Sequence, residues 1–183
     1  MPVDVKRLIA ESLLEMLKKK RLEKITIKEL VDVCGISRQT FYYHFKDVLE
    51  VVEWWAQEVN KRLVSASLKA EDAHGALSIF LDFVIQYHEV IRSLLESRWR
   101  AQMEKLMVNM VSAYLRDMLQ HTMPNTAISA ADLEAYLHFY SYGITGMILE
   151  YGSKSVVNKD ALVEQIYTVL FRGNMDHLID SGA

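Results

Sequence analysis

A single cysteine, Cys34, and two prolines, Pro2 and Pro124, are all that this chain of 183 residues holds of either type. One thiol makes no intramolecular disulfide and supplies too few thiolates for a structural zinc site, so a disulfide-stapled scaffold and a zinc finger are both excluded. A reducing compartment, the cytoplasm, is the expected location. Glycine is scarce too, at seven, and there is no GxGxxG, Walker or GxSxG sequence to cradle a phosphate or raise a nucleophile. His44, His74, His88, His121, His138 and His177 show neither HxxxH nor HExxH spacing, so no metal is expected. No cofactor, no catalytic residue and no enzymatic activity are expected. Long apolar runs are missing as well. The first 25 residues scatter Asp4, Lys6, Arg7, Glu11, Glu15 and Lys18 among the apolar positions, which no signal peptide tolerates. The longest uncharged stretch, residues 135–149, falls short of the roughly 20 residues a bilayer needs. Strand alternation is confined to Ile25, Thr26 and Ile27.

What remains is helix. Half of the chain, 51%, is hydrophobic, enough at this length to bury roughly 70% of the unfolded surface. Val5, Leu8, Ile9, Leu13, Met16 and Leu17 form one apolar stripe. Thr26 and Glu29 stand at capping-box spacing, with Ile25 and Leu30 placed as a hydrophobic staple. A helix from Ile27 therefore follows, and Gly35 closes it after about two turns. Ser37 offers a new N-cap and Ile36 with Phe41 a second staple, giving a third helix over residues 38–44. Longer helices are expected over 47–68, 73–95, 98–121, 131–151 and 159–179, with Ser129 and Asn158 as N-caps, Val157 stapled to Leu162, and Gly152 after a helix end. The fold class expected is all-α: an N-terminal three-helix helix-turn-helix domain, residues 1–50 with its motif at 25–44, and a C-terminal helical domain, residues 51–183.

Net charge is −3 and argues mildly against nucleic acid, but the charge is unevenly shared. Residues 1–52 hold 10 Lys and Arg against 8 acids, a balance of +2; residues 53–183 hold 11 against 16, a balance of −5. The two parts are expected to meet different partners. Ile25 to His44 has the parts of a DNA-reading corner: a supporting helix, a Gly turn and a second helix. Leu30, Val33, Ile36, Phe41 and Phe45 are expected beneath it as a small core. Arg38, Gln39, Thr40, Tyr42, Tyr43 and His44 then face outward, and no acid occurs from Gly35 to Lys46.

With these residues the sequence resembles the TetR family of bacterial regulators. The matching residues are Thr26-Ile27-Lys28-Glu29-Leu30, Gly35-Ile36-Ser37 and Thr40-Phe41-Tyr42-Tyr43-His44-Phe45-Lys46, the last similar to the family's aromatic YxHF signature. The run from Ser37 to Tyr42 also resembles the branch containing activators of dihydroxyacetone use. Val31 departs from the small Ala usual in the family, and Val48 from its common Lys. The resemblance implies a sequence-specific transcriptional regulator, a ligand-responsive repressor that binds an inverted-repeat duplex operator as a homodimer, nucleoid-associated when on DNA. By position, Thr26, Ser37, Thr40, Tyr42, His44 and Lys46 would hold phosphates. Arg38, Gln39 and Tyr43 have the chemistry to read guanine, adenine and a thymine methyl group. The alternatives are a protein-interaction module that keeps the corner without DNA, an activator with no small-molecule effector of its own, and a helical enzyme on an apolar substrate, for which no acid–base pair is visible.

Residues 80–151 are rich in aromatic residues and Met. Phe83, Tyr87, Trp99, Met103, Met107, Tyr136 and Tyr140 are the candidates for an apolar effector pocket, although a Met stripe at helical spacing is ordinarily core. For the dimer interface the candidates are Gly143, Gly146, Met147, Leu162, Ile166, Val169 and Leu170, the glycines allowing close helix approach. Cys34, beside the turn, is expected as a small buried filler rather than a redox switch.

Overall fold

The computed structural model of the chain describes residues 4–122, 128–151 and 158–172, all helical or connecting, with no strand among them. Nine α-helices occur there: α1 Val5–Leu17, α2 Ile27–Cys34, α3 Arg38–His44, α4 Val48–Ser67, α5 Ala73–Gln86, α6 His88–Leu95, α7 Arg100–Thr122, α8 Ala130–Tyr151 and α9 Lys159–Tyr167. The all-α class, with its N-terminal helix-turn-helix and C-terminal helices, is the one expected. Pro124, Gly152, Val157, His177 and the end of the helix expected to reach residue 179 lie outside the described residues.

Helix ends follow the local chemistry. Thr26 Oγ1 accepts the Glu29 N–H at 3.2 Å while Glu29 Oε2 accepts the Thr26 N–H at 3.0 Å, so both arms of the capping box are made. Ser37 caps α3 through the Thr40 N–H, Ser129 caps α8 through that of Asp132, and Asn158 caps α9 through that of Ala161. Asp72, which the sequence did not flag, caps α5 by accepting the Gly75 N–H at 2.7 Å. Gly35 takes φ 65°, ψ 32°, and the Ile36 N–H turns back to the Val31 carbonyl at 3.1 Å; only a residue without Cβ adopts that conformation freely.

Two local expectations change. The single helix expected over 73–95 is broken at Tyr87, with φ −102° and ψ 11°. No Gly or Pro marks the break; the Tyr87 ring instead stands edge-on to Trp55 at 5.0 Å, a tertiary contact overriding helix propensity. Val33 is 62% exposed rather than core, and Val31, one side of the helix away, is buried with Leu30. On α2 the inward face follows positions 27, 30, 31 and 34, and Val33 falls outside it.

The chain forms two compact units. The first comprises residues 1–59 and 87–106, so α6 and the start of α7 group with the N-terminal helices. Its core is Ile9, Leu13, Leu17, Leu22, Leu30, Phe41, Val51, Val52 and Val90, each nearly or fully buried, with α1 packed on both α2 and α6. The second unit comprises 60–86 and 107–183, and α5 packs on α9 within it. Leu81, Leu137, Val163 and Ile166 are its most buried side chains.

Candidate nucleic-acid interface and effector cavity

The corner of the first unit stands on Phe41, fully buried, with its ring 6.2 Å from that of Phe45. That anchor fixes which way α3 faces. At about 100° per residue, Gln39 and Tyr43 stand opposite Phe41 while Tyr42 and Arg38 lie to one side of it, and all four are exposed, Tyr43 to 84%. Thr40 and His44 lie along the flank and are half-buried; the His44 ring stands edge-on to Tyr43 at 5.0 Å. Ser37 is exposed at the N-terminus of α3, where the first turn carries no acid, and Lys46 is exposed just beyond its C-terminus. A polar, acid-free, aromatic-studded helix face of this kind suits a duplex groove.

Thr26 is engaged in a helix cap, as is Ser37, whose hydroxyl caps α3 and lies 2.9 Å from that of Thr40. The Thr26 hydroxyl accepts from the Glu29 N–H and donates to Glu29 Oε2 at 3.1 Å. Lys20 Nζ reaches the other Glu29 oxygen at 2.8 Å. That ammonium, followed by the Thr26 N–H and hydroxyl, holds the Glu29 carboxyl down at about 2. Lys6 Nζ lies 5.4 Å from the centre of the Phe45 ring, a cation–π contact that ties α1 to the end of the corner.

The second unit contains a cavity of about 560 Å³, within the size range of small-molecule sites. Leu77, Phe80, Val111, Leu115, Met118, Leu119, Tyr136, Ile144, Tyr167 and Leu170 form its apolar wall. Polar atoms gather where Ser67 and the α4–α5 connection meet α7. There the Tyr114 hydroxyl donates to Ser67 Oγ at 3.0 Å and lies 3.4 Å from the Ala76 carbonyl. Burial raises the Tyr114 phenol and the Ser67 hydrogen bond partly offsets it; burial, aided by Tyr140, pushes Tyr136 up to about 12. Both phenols are thus neutral hydrogen-bonding groups at physiological pH.

Of the seven pocket candidates, Tyr136 alone lines this cavity. Tyr140 is buried in the surrounding core, and Phe83 and Met107 pack against that core. Tyr87, Trp99 and Met103 belong to the first unit, where Met103 is buried and Trp99 carries Arg98 over its ring at 4.1 Å. The cavity residues that were missed, Ser67, Tyr114, Met118 and Leu119, come from helices whose facing depends on tertiary packing. Ser67 followed by the short connection before Asp72 was the available signal.

The dimer candidates divide as well. Leu162, Ile166 and Leu170 are buried in the second unit's own core and Met147 packs half-buried against it, because α9 turns its apolar stripe toward α5. Those three present no surface to a second chain. Gly143, Gly146 and Val169 are exposed, and a Cβ added to either glycine meets nothing within 4 Å. Phe139, 71% exposed, and Tyr142, 56% exposed, share the glycine face at i, i+3, i+4 and i+7, a stripe visible in the sequence spacing. Cys34 is half-buried. Among the described residues no group of His, Cys, Asp or Glu is arranged to hold a metal ion, and no helix is long and apolar enough to cross a membrane.

Residues 71–171 match the family described as the transcriptional regulator C-terminal region. The fold is similar to that of the dihydroxyacetone kinase operon activator DhaS, at 14% identity and a TM-score of 0.64 over 92% of this chain and 95% of that one. It is similar also to a TetR-family transcriptional regulator from Streptomyces coelicolor, at 16% identity and a TM-score of 0.66 over 96% and 89% of the two chains. No curated protein matches the sequence.

Proposed function

Since the chain belongs to the TetR family of transcriptional regulators, we propose that it grips an inverted-repeat operator as a homodimer and acts as a repressor released by a small apolar effector. The observation that carries this reading is the exposed face of α3, where Arg38, Gln39, Tyr42 and Tyr43 stand over a buried Phe41 with no acid between Gly35 and Lys46. Arg38 takes guanine O6 and N7, Gln39 takes adenine N6 and N7, and Tyr43 meets a thymine methyl group. Thr26, Ser37, Thr40, Tyr42, His44 and Lys46 hold phosphates. Two copies are needed because one corner covers one half-site, and half-sites repeat about one DNA turn apart. Gly143, Gly146, Phe139 and Tyr142 supply the exposed face of α8 for that pairing.

The effector occupies the 560 Å³ cavity and favours the state with lower DNA affinity, a coupling of about 1 to 3 kcal/mol in such systems. No catalytic role is assigned. Activation is the second reading, since an operon activator shares the fold. Selection of bound fragments from random duplex DNA at physiological salt tests the proposal. Enrichment of an inverted repeat is the expected result. Recovery of no sequence, with only salt-sensitive binding, would overturn it in favour of an interaction module; a reporter carrying the recovered operator separates repression from activation.

A further inference from the structure

We propose that the cavity of the second unit takes a lipophilic cation, an amine or quaternary ammonium whose hydrocarbon body fills the apolar wall while its charged head lies at the α4–α5 connection. The inference rests on the reading of this cavity as the effector site and adds the charge of the ligand to it. Two carboxylates, Glu71 and Asp72, line the cavity, and among the described residues no Lys, Arg or His does. Lys69, in the same connection, is not part of the lining. Asp72 already accepts the Gly75 N–H at the start of α5, which balances the helix N-terminus there. Glu71 is exposed and makes no ion pair among the described residues, so its charge is left for a ligand.

The rest of the lining sharpens the choice. Phe80, Tyr114, Tyr136 and Tyr167 supply aromatic faces, with the Phe80 and Tyr114 rings 5.1 Å apart, and aromatic faces attract cations and repel anions. The inner polar groups, Tyr114 and Ser67, satisfy one another and the Ala76 carbonyl, and the described lining residues offer neutral phenols but no cationic donor to a carboxylate or phosphate. An anionic head would face Glu71 with no cation among the described lining residues to answer it. A neutral ligand of the same shape would gain the apolar contact alone.

The test uses the full-length protein and three ligands with one tail: n-decyltrimethylammonium, decanol and decanoate, each titrated calorimetrically below its micelle-forming concentration. The ammonium should bind most tightly and decanoate least, with a ratio between them of about tenfold at low salt, the scale set by one carboxylate a few ångströms from a unit charge in a water-lined mouth. The ratio should shrink in 0.5 M salt because the mouth is open to solvent. Glu71→Gln, a change at an exposed position, should remove most of the ammonium's advantage and leave decanol binding unchanged. Decanol should displace the ammonium competitively, and Leu77→Trp should exclude both. If all three bind within about twofold of one another, or the advantage survives Glu71→Gln and Asp72→Asn, the cation assignment is overturned while the cavity reading stands. If decanol itself fails to bind, the cavity reading falls and takes the inference with it.

Discussion

Replacing Gly143 and Gly146 together with alanine should move two measurements in opposite directions. Both lie inside α8, where Gly costs about 1 kcal/mol relative to Ala through its extra backbone freedom. A Cβ at either position meets nothing within 4 Å, so within one chain the substitution has no steric cost. The separate chain should therefore gain about 2 kcal/mol of stability. In a dimer whose helices meet on this face, the same methyl groups would enter a close contact, and overpacking of that kind costs typically 1 to 3 kcal/mol. Urea denaturation at a protein concentration well below the dimer dissociation constant reads the first term. Sedimentation equilibrium reads the second, where each 1.4 kcal/mol appears as about tenfold in the dissociation constant. A higher urea midpoint together with an unchanged dissociation constant would refute the glycine face as the contact. No gain in the midpoint would refute the argument that the face is open.

Arg38→Ala should cost about 1 to 3 kcal/mol of operator affinity and relax the preference at one base pair, whereas Lys46→Ala should weaken all sequences alike and flatten the salt slope by about one unit; binding assays across sequence and salt separate the two roles. Gly35→Ala should destabilise the protein by about 1 to 2 kcal/mol with no packing defect, since the position has φ 65° and open space for a Cβ, and a thermal melt without loss of stability would contradict the left-handed turn. The Glu29 carboxyl is held near 2 against an ordinary 4.5, so the stability it contributes is complete above about 4.5 and is lost as pH falls toward 2. Melting temperatures of the parent and Glu29→Gln should accordingly differ at pH 7 and converge by about pH 2, while a gap that stays constant would exclude the linkage.

The corner was legible because its signals are local. Thr26, Glu29, Gly35 and Ser37 act within four residues of their own positions, and Phe41 is placed by the helix that Ser37 starts. What the sequence misplaced depends on partners far along the chain. Val31 and Val33 are equally apolar, and only the packing of α1 on α2 decides which of them is buried. Tyr87 interrupts a stretch with good helical periodicity through its contact with Trp55. Residue type alone marks the effector candidates, yet α7 carries Met103 into one unit and Tyr114 into the other, so a single stripe of Met and Tyr serves two cores. Similarly, Leu162, Ile166 and Leu170 resemble an interface stripe and a core stripe equally well until α5 covers them.

In the proposed dimer, the placement of α8 limits how an effector could act on self-association. Tyr136 and Ile144 line the cavity from one side of this helix, and Phe139, Tyr142, Gly143 and Gly146 are exposed on another. A helix with its side chains is only about 10 to 12 Å across, so a rotation of α8 that accommodates a ligand also re-aims the glycine face. Filling space in an existing arrangement would leave that face where it is, and a ligand that binds both arrangements equally shifts neither. Effector coupling through this helix therefore requires a ligand large enough to displace Tyr136 or Ile144. Linkage then fixes the reverse effect, because dimerisation must alter ligand affinity by the same factor as the ligand alters dimerisation.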